Sequence, residues 1–159
     1  MAHHQTPGTL TAYEQVPIRG QPSRPEMADY CVPSQLTIPL MTRWMLAWEE
    51  RDADVLWLCK AVPRAWLAGG LSCRNATTRW GPVDVDLKPQ DGLRRMTARI
   101  QLPAHARPTL MLRIAHPTGM RIADCQVQGA RREEVDAGRD LVRLKPDGDA
   151  VAVTVTFGP

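Results

Sequence analysis

Carboxylates that face a common bond can share the work of general acid and base, and the chain offers Glu14, Glu26, Asp29, Glu49 and Glu50 as its candidates for that chemistry. Glu49 and Glu50 are neighbours at an expected helix end, so their side chains diverge and are expected to be solvated. His3 and His4 have no acidic partner at fixed spacing, so no metal site is expected there. His105 lies between Pro103 and Pro108 and reads as an exposed loop residue. His116 precedes Pro117 at a strand end and reads as a hydrogen-bonded turn histidine. Ser23, Ser34 and Ser72 lack the G-x-S-x-G context of an activated serine. Cys59 and Cys73 have no adjacent base, so a thiol nucleophile is not expected. There is no phosphate-cradling glycine loop and no dinucleotide fingerprint. No cofactor and no metal are expected.

The elements that must position these groups divide the chain in two. Residues 16–25 carry Pro17, Gly20, Pro22 and Pro25 and read as loop. A helix is expected from about Pro33, because proline in the first turn gives up no hydrogen bond. Over residues 34–50, Leu36, Leu40, Trp44 and Trp48 recur at fourth-residue spacing, with Met41 and Met45 beside them. Pro39 lies inside this run and is expected to kink it. A second helix is expected over residues 53–62, with Val55, Leu56, Leu58 and Cys59 apolar and Pro63 ending it. Arg64 to Leu67 form a short further turn, and Gly69-Gly70 close the helical part.

From Leu71 the apolar period is two. Val83, Val85 and Leu87 alternate with aspartates. Met96, Ala98, Ile100 and Leu102 alternate with polar residues, as do Leu110, Leu112 and Ile114 with their neighbours. Further runs cover residues 122–127, 141–144 and 151–157. Turn signals at Asp91-Gly92, Pro103, Pro117-Thr118-Gly119, Gly138 and Asp147-Gly148 separate them. Short alternating strands between turns predict an antiparallel β-sandwich. The expected division is therefore 1–68, loop plus helices, and 69–159, a sandwich domain.

Composition narrows the function classes. The chain has 159 residues, 43% hydrophobic and 23% charged, which is ordinary globular usage. The formal net charge of +3 is small and dispersed, so nucleic acid is not an expected partner. No apolar run is long enough to span a membrane, and no signal peptide is visible at Met1-Ala2-His3-His4-Gln5. The four cysteines, Cys31, Cys59, Cys73 and Cys125, form no C-x-x-C pair and are expected as free, mostly buried thiols. A cytoplasmic location is the corresponding expectation.

Four segments carry a family resemblance. They are Gly8-Thr9-Leu10-Thr11-Ala12-Tyr13-Glu14, Val62-Pro63-Arg64-Ala65-Trp66-Leu67, Asn75-Ala76-Thr77-Thr78-Arg79-Trp80-Gly81-Pro82-Val83 and Arg113-Ile114-Ala115-His116-Pro117. In this order the chain resembles the C-terminal end of large bacterial six-hairpin glycosidase-like proteins. There an (α/α)₆ barrel carries the active site and a β-sandwich follows it. A full barrel takes about twelve helices, several hundred residues at ordinary helix lengths. The resemblance therefore implies a mainly β chain with a remnant of two to three barrel helices.

The resemblance implies a fragment of a glycoside hydrolase-like protein whose sandwich is a structural or accessory domain. Glycoside hydrolysis uses two carboxylates about 5–5.5 Å or about 6.5–9.5 Å apart. Glu14, in the segment similar to a barrel loop, is the candidate for catalysis. Tyr13, Asp29 and Tyr30 are the candidates for substrate binding, since sugar C–H faces pack on aromatic rings. Trp44, Trp48, Arg64, Trp66, Arg79 and Trp80 are the candidates for the interface between helices and sandwich. Trp44, Trp48, Trp57 and Trp66 are all expected on helical segments, and Arg79 is expected to stack or to pair with a carboxylate. The implied partner is the rest of the barrel, or a second copy through the tryptophan-rich face, with a carbohydrate as the implied ligand. The isolated chain is expected to be inactive. The alternative is a stand-alone β-sandwich module that binds carbohydrate or protein. Trp80 and Phe157 are the only aromatic residues after Leu71, so an aromatic sugar platform on a strand face is not expected.

Overall fold

The computed structural model describes residues 5–6, 11–12 and 32–159. The chain divides into two compact units, Met1–Arg43 and Trp44–Pro159. In the first, strands β1 (Gln5–Thr6) and β2 (Thr11–Ala12) pair antiparallel. Helix α1 (Val32–Leu46) starts with Pro33 in its first turn, as expected, and holds Pro39 within it. The Thr42 hydroxyl donates to the Ile38 carbonyl, 2.9 Å away. Leu36, Leu40 and Met41 of the helix are exposed.

The second unit is mainly β. Its strands are β3 (Ala47–Glu49), β4 (Val55–Leu58), β5 (Leu71–Thr78), β6 (Gly81–Gln90), β7 (Arg95–Gln101), β8 (Thr109–Arg113), β9 (Arg121–Gln128), β10 (Ala130–Asp136), β11 (Leu141–Pro146) and β12 (Ala150–Gly158). They form two five-stranded sheets, ordered β10-β11-β8-β4-β3 and β5-β6-β7-β12-β9. Every neighbouring pair is antiparallel except β4 and β8. A 3-10 helix, Arg64–Gly69, joins β4 to β5.

Alternation explains the core. Leu56, Leu58, Leu110, Leu112, Val142 and Leu144 of one sheet are buried, as are Val83, Val85, Leu87, Met96, Ala98, Ile100, Val153 and Val155 of the other. All belong to one apolar cluster. Period-two patterning puts these residues on one face of each strand; on β6 and β7 the opposite face is polar, whereas on β4 it carries Val55 and Trp57.

Two helical expectations are corrected. The helix expected over residues 53–62 is strand β4 followed by a turn, with the Cys59 amide donating to the Leu46 carbonyl at 2.8 Å. The run Val55-Leu56-Trp57-Leu58 is short and continuous, and such a run fits a buried strand as well as a helix. Pairing with β3 and β8 decides for the strand. The first helix ends at Leu46, so Glu49 lies on β3 and Glu50 just beyond it. Trp48 and Trp57 therefore face each other across a β3–β4 pair instead of lying on helices.

The chain passes from one five-stranded sheet to the other at Gly129, between β9 and β10. Its φ is +73°, and a Cβ placed there would meet the Ala150 carbonyl oxygen at 2.0 Å. Only glycine accommodates both conditions.

Candidate functional site

Tyr13, Glu14, Glu26, Asp29 and Tyr30 lie outside the described residues. Of the remaining candidates, Trp44 and Trp48 join Trp57 in an aromatic cluster beside Lys60. Trp44 and Trp48 meet edge to face, their ring centroids 5.4 Å apart. The Lys60 ammonium lies 5.3 Å from the Trp48 centroid and 4.6 Å from that of Trp57. Glu50 closes the group. Its Oε1 accepts from Trp57 Nε1 at 2.7 Å and lies 3.7 Å from Lys60 Nζ. Indole faces attract a cation through their quadrupole, and the carboxylate holds both the cation and the indole N–H. Glu50 is therefore a half-exposed acceptor just beyond β3 rather than a charge at a helix end.

Arg79 and Trp80 form the turn between β5 and β6. The Arg79 guanidinium stacks 4.2 Å from the Trp80 centroid, which is the expected stacking. It also donates to the Glu50 carbonyl at 2.9 Å and to the carbonyl of Ala53. The Arg79 amide donates to Glu49 Oε2 at 3.0 Å, and Trp80 Nε1 donates to Asp54 Oδ1 at 3.1 Å. The planar fork of arginine thus clamps the β3–β4 connection onto the β5–β6 turn.

Arg64 begins the 3-10 helix and donates to Asp140 Oδ2 at 2.5 Å and to the His116 carbonyl at 3.0 Å. Asp140 and His116 are each 3% exposed. His116 Nε2 lies 3.1 Å from the Leu93 carbonyl and must donate to it, since a carbonyl only accepts. Nδ1 then accepts from the Thr118 amide at 3.2 Å. Both ring nitrogens are used, and the ring packs edge-on against Phe157 at 4.8 Å. This is the turn histidine the sequence predicts. Trp66, on the same 3-10 helix, is 48% exposed, and its neighbour Leu67 is the residue that enters the core.

Cys31 lies outside the described residues, and the surroundings of the other three thiols disfavour the thiolate. Burial pushes the Cys59 thiol up to about 12, with Cys73 adding to the rise. Burial also raises Cys73 and Cys125. Cys59, Cys73 and Cys125 are all free, as expected. On the outer strand β10, Arg131 and Arg143 both donate to Glu133 and hold its carboxyl below the usual range.

A groove of about 520 Å³ opens on the outer face of the second sheet. Sequence reasoning missed it, because it is assembled by register. Asp86, Arg99, Ala152 and Gln128 stand in one row across β6, β7, β12 and β9. Asp84, Gln101 and Ala150 form the next row. Alanines on β12 make a low floor between taller side chains on either side. Asp84 accepts from the Asn75 amide at 2.8 Å and pairs with Arg74 at 3.4 Å. Asp86 pairs with Lys88 at 3.4 Å. Among the described residues Arg99 makes no hydrogen bond or ion pair, and no group of three His, Cys, Asp or Glu is placed to hold a metal. No helix among them is long and apolar enough to cross a membrane.

Comparison with family models, with curated proteins and with solved structures found no match for this chain.

Proposed function

We propose that this chain is the non-catalytic, accessory end of a glycosidase-like protein, its two five-stranded sheets packed as a sandwich that adjoins a catalytic barrel. The family resemblance supplies the identity of the parent. The common core shared by both sheets supports the sandwich. The observation that carries the accessory role is the engagement of the carboxylates. Glu49 and Glu50 brace the β3–β4 strands, Asp54 holds Trp80, and Asp140 holds Arg64. Acids committed to fixed donors in this way serve architecture, whereas a hydrolase acid must face the scissile bond.

The test is turnover. The purified chain, given a panel of aryl glycosides, is expected to release no aglycone. Turnover that disappears in Glu14→Gln would overturn the accessory reading and make this chain catalytic.

The sheet-face groove favours a second reading, a binding module. Its polar walls and alanine floor form a concave site of small-ligand size. The two readings are compatible in one protein, since an accessory domain can also hold substrate near a barrel.

A further inference from the structure

We propose that the groove on the β6-β7-β12-β9 face binds a saccharide bearing a carboxylate, with Arg99 as its anchor. The proposal rests on the binding reading of that groove and names its ligand class.

Charge selects the acid. The groove is lined by three cations, Arg74, Lys88 and Arg99, and two anions, Asp84 and Asp86. Arg74 neutralises Asp84, and Lys88 neutralises Asp86. Arg99 is directly across from Asp86 in the ladder, yet the Asp86 carboxylate turns to Lys88. Among the described residues the Arg99 guanidinium has no partner, and its planar fork matches a carboxylate through two parallel hydrogen bonds.

Shape and the remaining partners select the saccharide. Arg99 and Gln128 flank Ala152 from the two neighbouring strands, so their backbones lie about 10 Å apart across the sheet. That gap accepts a pyranose ring with a hydrogen bond at either edge. The Gln128 amide, which both donates and accepts, suits a hydroxyl. So do the fixed acid–base pairs at Asp84 and Asp86, which offer donor and acceptor side by side. The floor of Ala150 and Ala152 is apolar enough to take C–H groups and low enough to admit them. An extended peptide lying over the groove floor is disfavoured, because β6, β7 and β12 each pair on both sides and their backbone groups cannot take up an added strand.

The experiment is an NMR titration of the full chain with trigalacturonate, and in parallel with the neutral trisaccharide cellotriose, following backbone amides and the arginine Nε–H groups. Trigalacturonate is expected to shift the Arg99 Nε–H and the amides of residues 99–101, 128 and 150–152, and cellotriose to bind at least tenfold more weakly. Arg99→Gln should lower trigalacturonate affinity about tenfold or more. Ala152→Glu, which supplies a carboxylate beside Arg99 from within, should do the same, so the test does not hang on one variant. Thermal unfolding of each variant confirms that the sheet is intact. Equal binding of both trisaccharides, with no effect of Arg99→Gln, would overturn the acidic class and leave the groove a neutral-sugar site. No shift with either would overturn the groove as a binding site.

Discussion

Arg79 shows how one side chain holds two distant segments. Its guanidinium satisfies carbonyls of the 50–53 loop while stacking on Trp80. Arg79→Lys keeps the charge and loses both the fork and the stack. Because the site is exposed, the expected cost is modest, about 1–2 kcal/mol by urea unfolding. Amide exchange at residues 50–55 should accelerate more than elsewhere, and a uniform change would count against the clamp. Cys59 supplies a pH test. Its buried thiol ionises at about 12, well above an unfolded thiol. The folded state therefore holds its proton longer. Stability is complete below the ordinary thiol range and declines as pH rises from there toward 12, because the unfolded chain ionises first. Cys59→Ala removes that part of the decline. Denaturation at pH 8 and pH 10 should show a smaller loss for the variant than for the parent.

At the scale of elements, the 3-10 helix separates two neighbours by burial. Leu67 is 1% exposed and Trp66 48%. Leu67→Ala should cost about 2–5 kcal/mol, and Trp66→Ala no more than about 1 kcal/mol. A large loss at Trp66 would mean that its ring is covered by something beyond the described residues. Gly129, at the β9–β10 crossing between the sheets, is a second test. Gly129→Ala forces a Cβ against the Ala150 carbonyl at a positive φ, and the expected cost is about 3 kcal/mol or more. The strands that sequence could reveal are those with one apolar face. Met96, Ala98 and Ile100, and likewise Val151, Val153 and Val155, alternate cleanly because one side of each strand faces the core. Strand β10 was illegible for the opposite reason. It is an edge, its residues Arg131 to Glu134 are solvated, and it carries almost no apolar signal. Strand β4 shows no period of two because both its faces are largely apolar. The groove was illegible for a third reason. Asp86, Arg99, Gln128 and Ala152 span 67 positions in sequence, and only the register of four strands puts them in one row.

The whole molecule combines these parts unevenly. Every core residue among those described lies between Ala47 and Phe157, within the second compact unit. Both five-stranded sheets are complete there, and the clamps at Arg64 and Arg79 have both ends in it. Burial of this continuous apolar cluster is the dominant favourable term in folding, so the unit carries its own stability. Its charged β10 edge, with Arg131 and Arg143 gathered on Glu133, also discourages pairing with a second sheet. A chain of residues 44–159 should therefore unfold in one cooperative transition, within a few degrees of the full chain, and keep the amide spectrum of the groove strands β6, β7, β12 and β9. Differential scanning calorimetry and a heteronuclear spectrum decide this. A broad, non-cooperative melt would show that the first 43 residues supply part of the core. In that case the resemblance to a barrel-borne sandwich would gain force, because the sheets would need helical cover to fold.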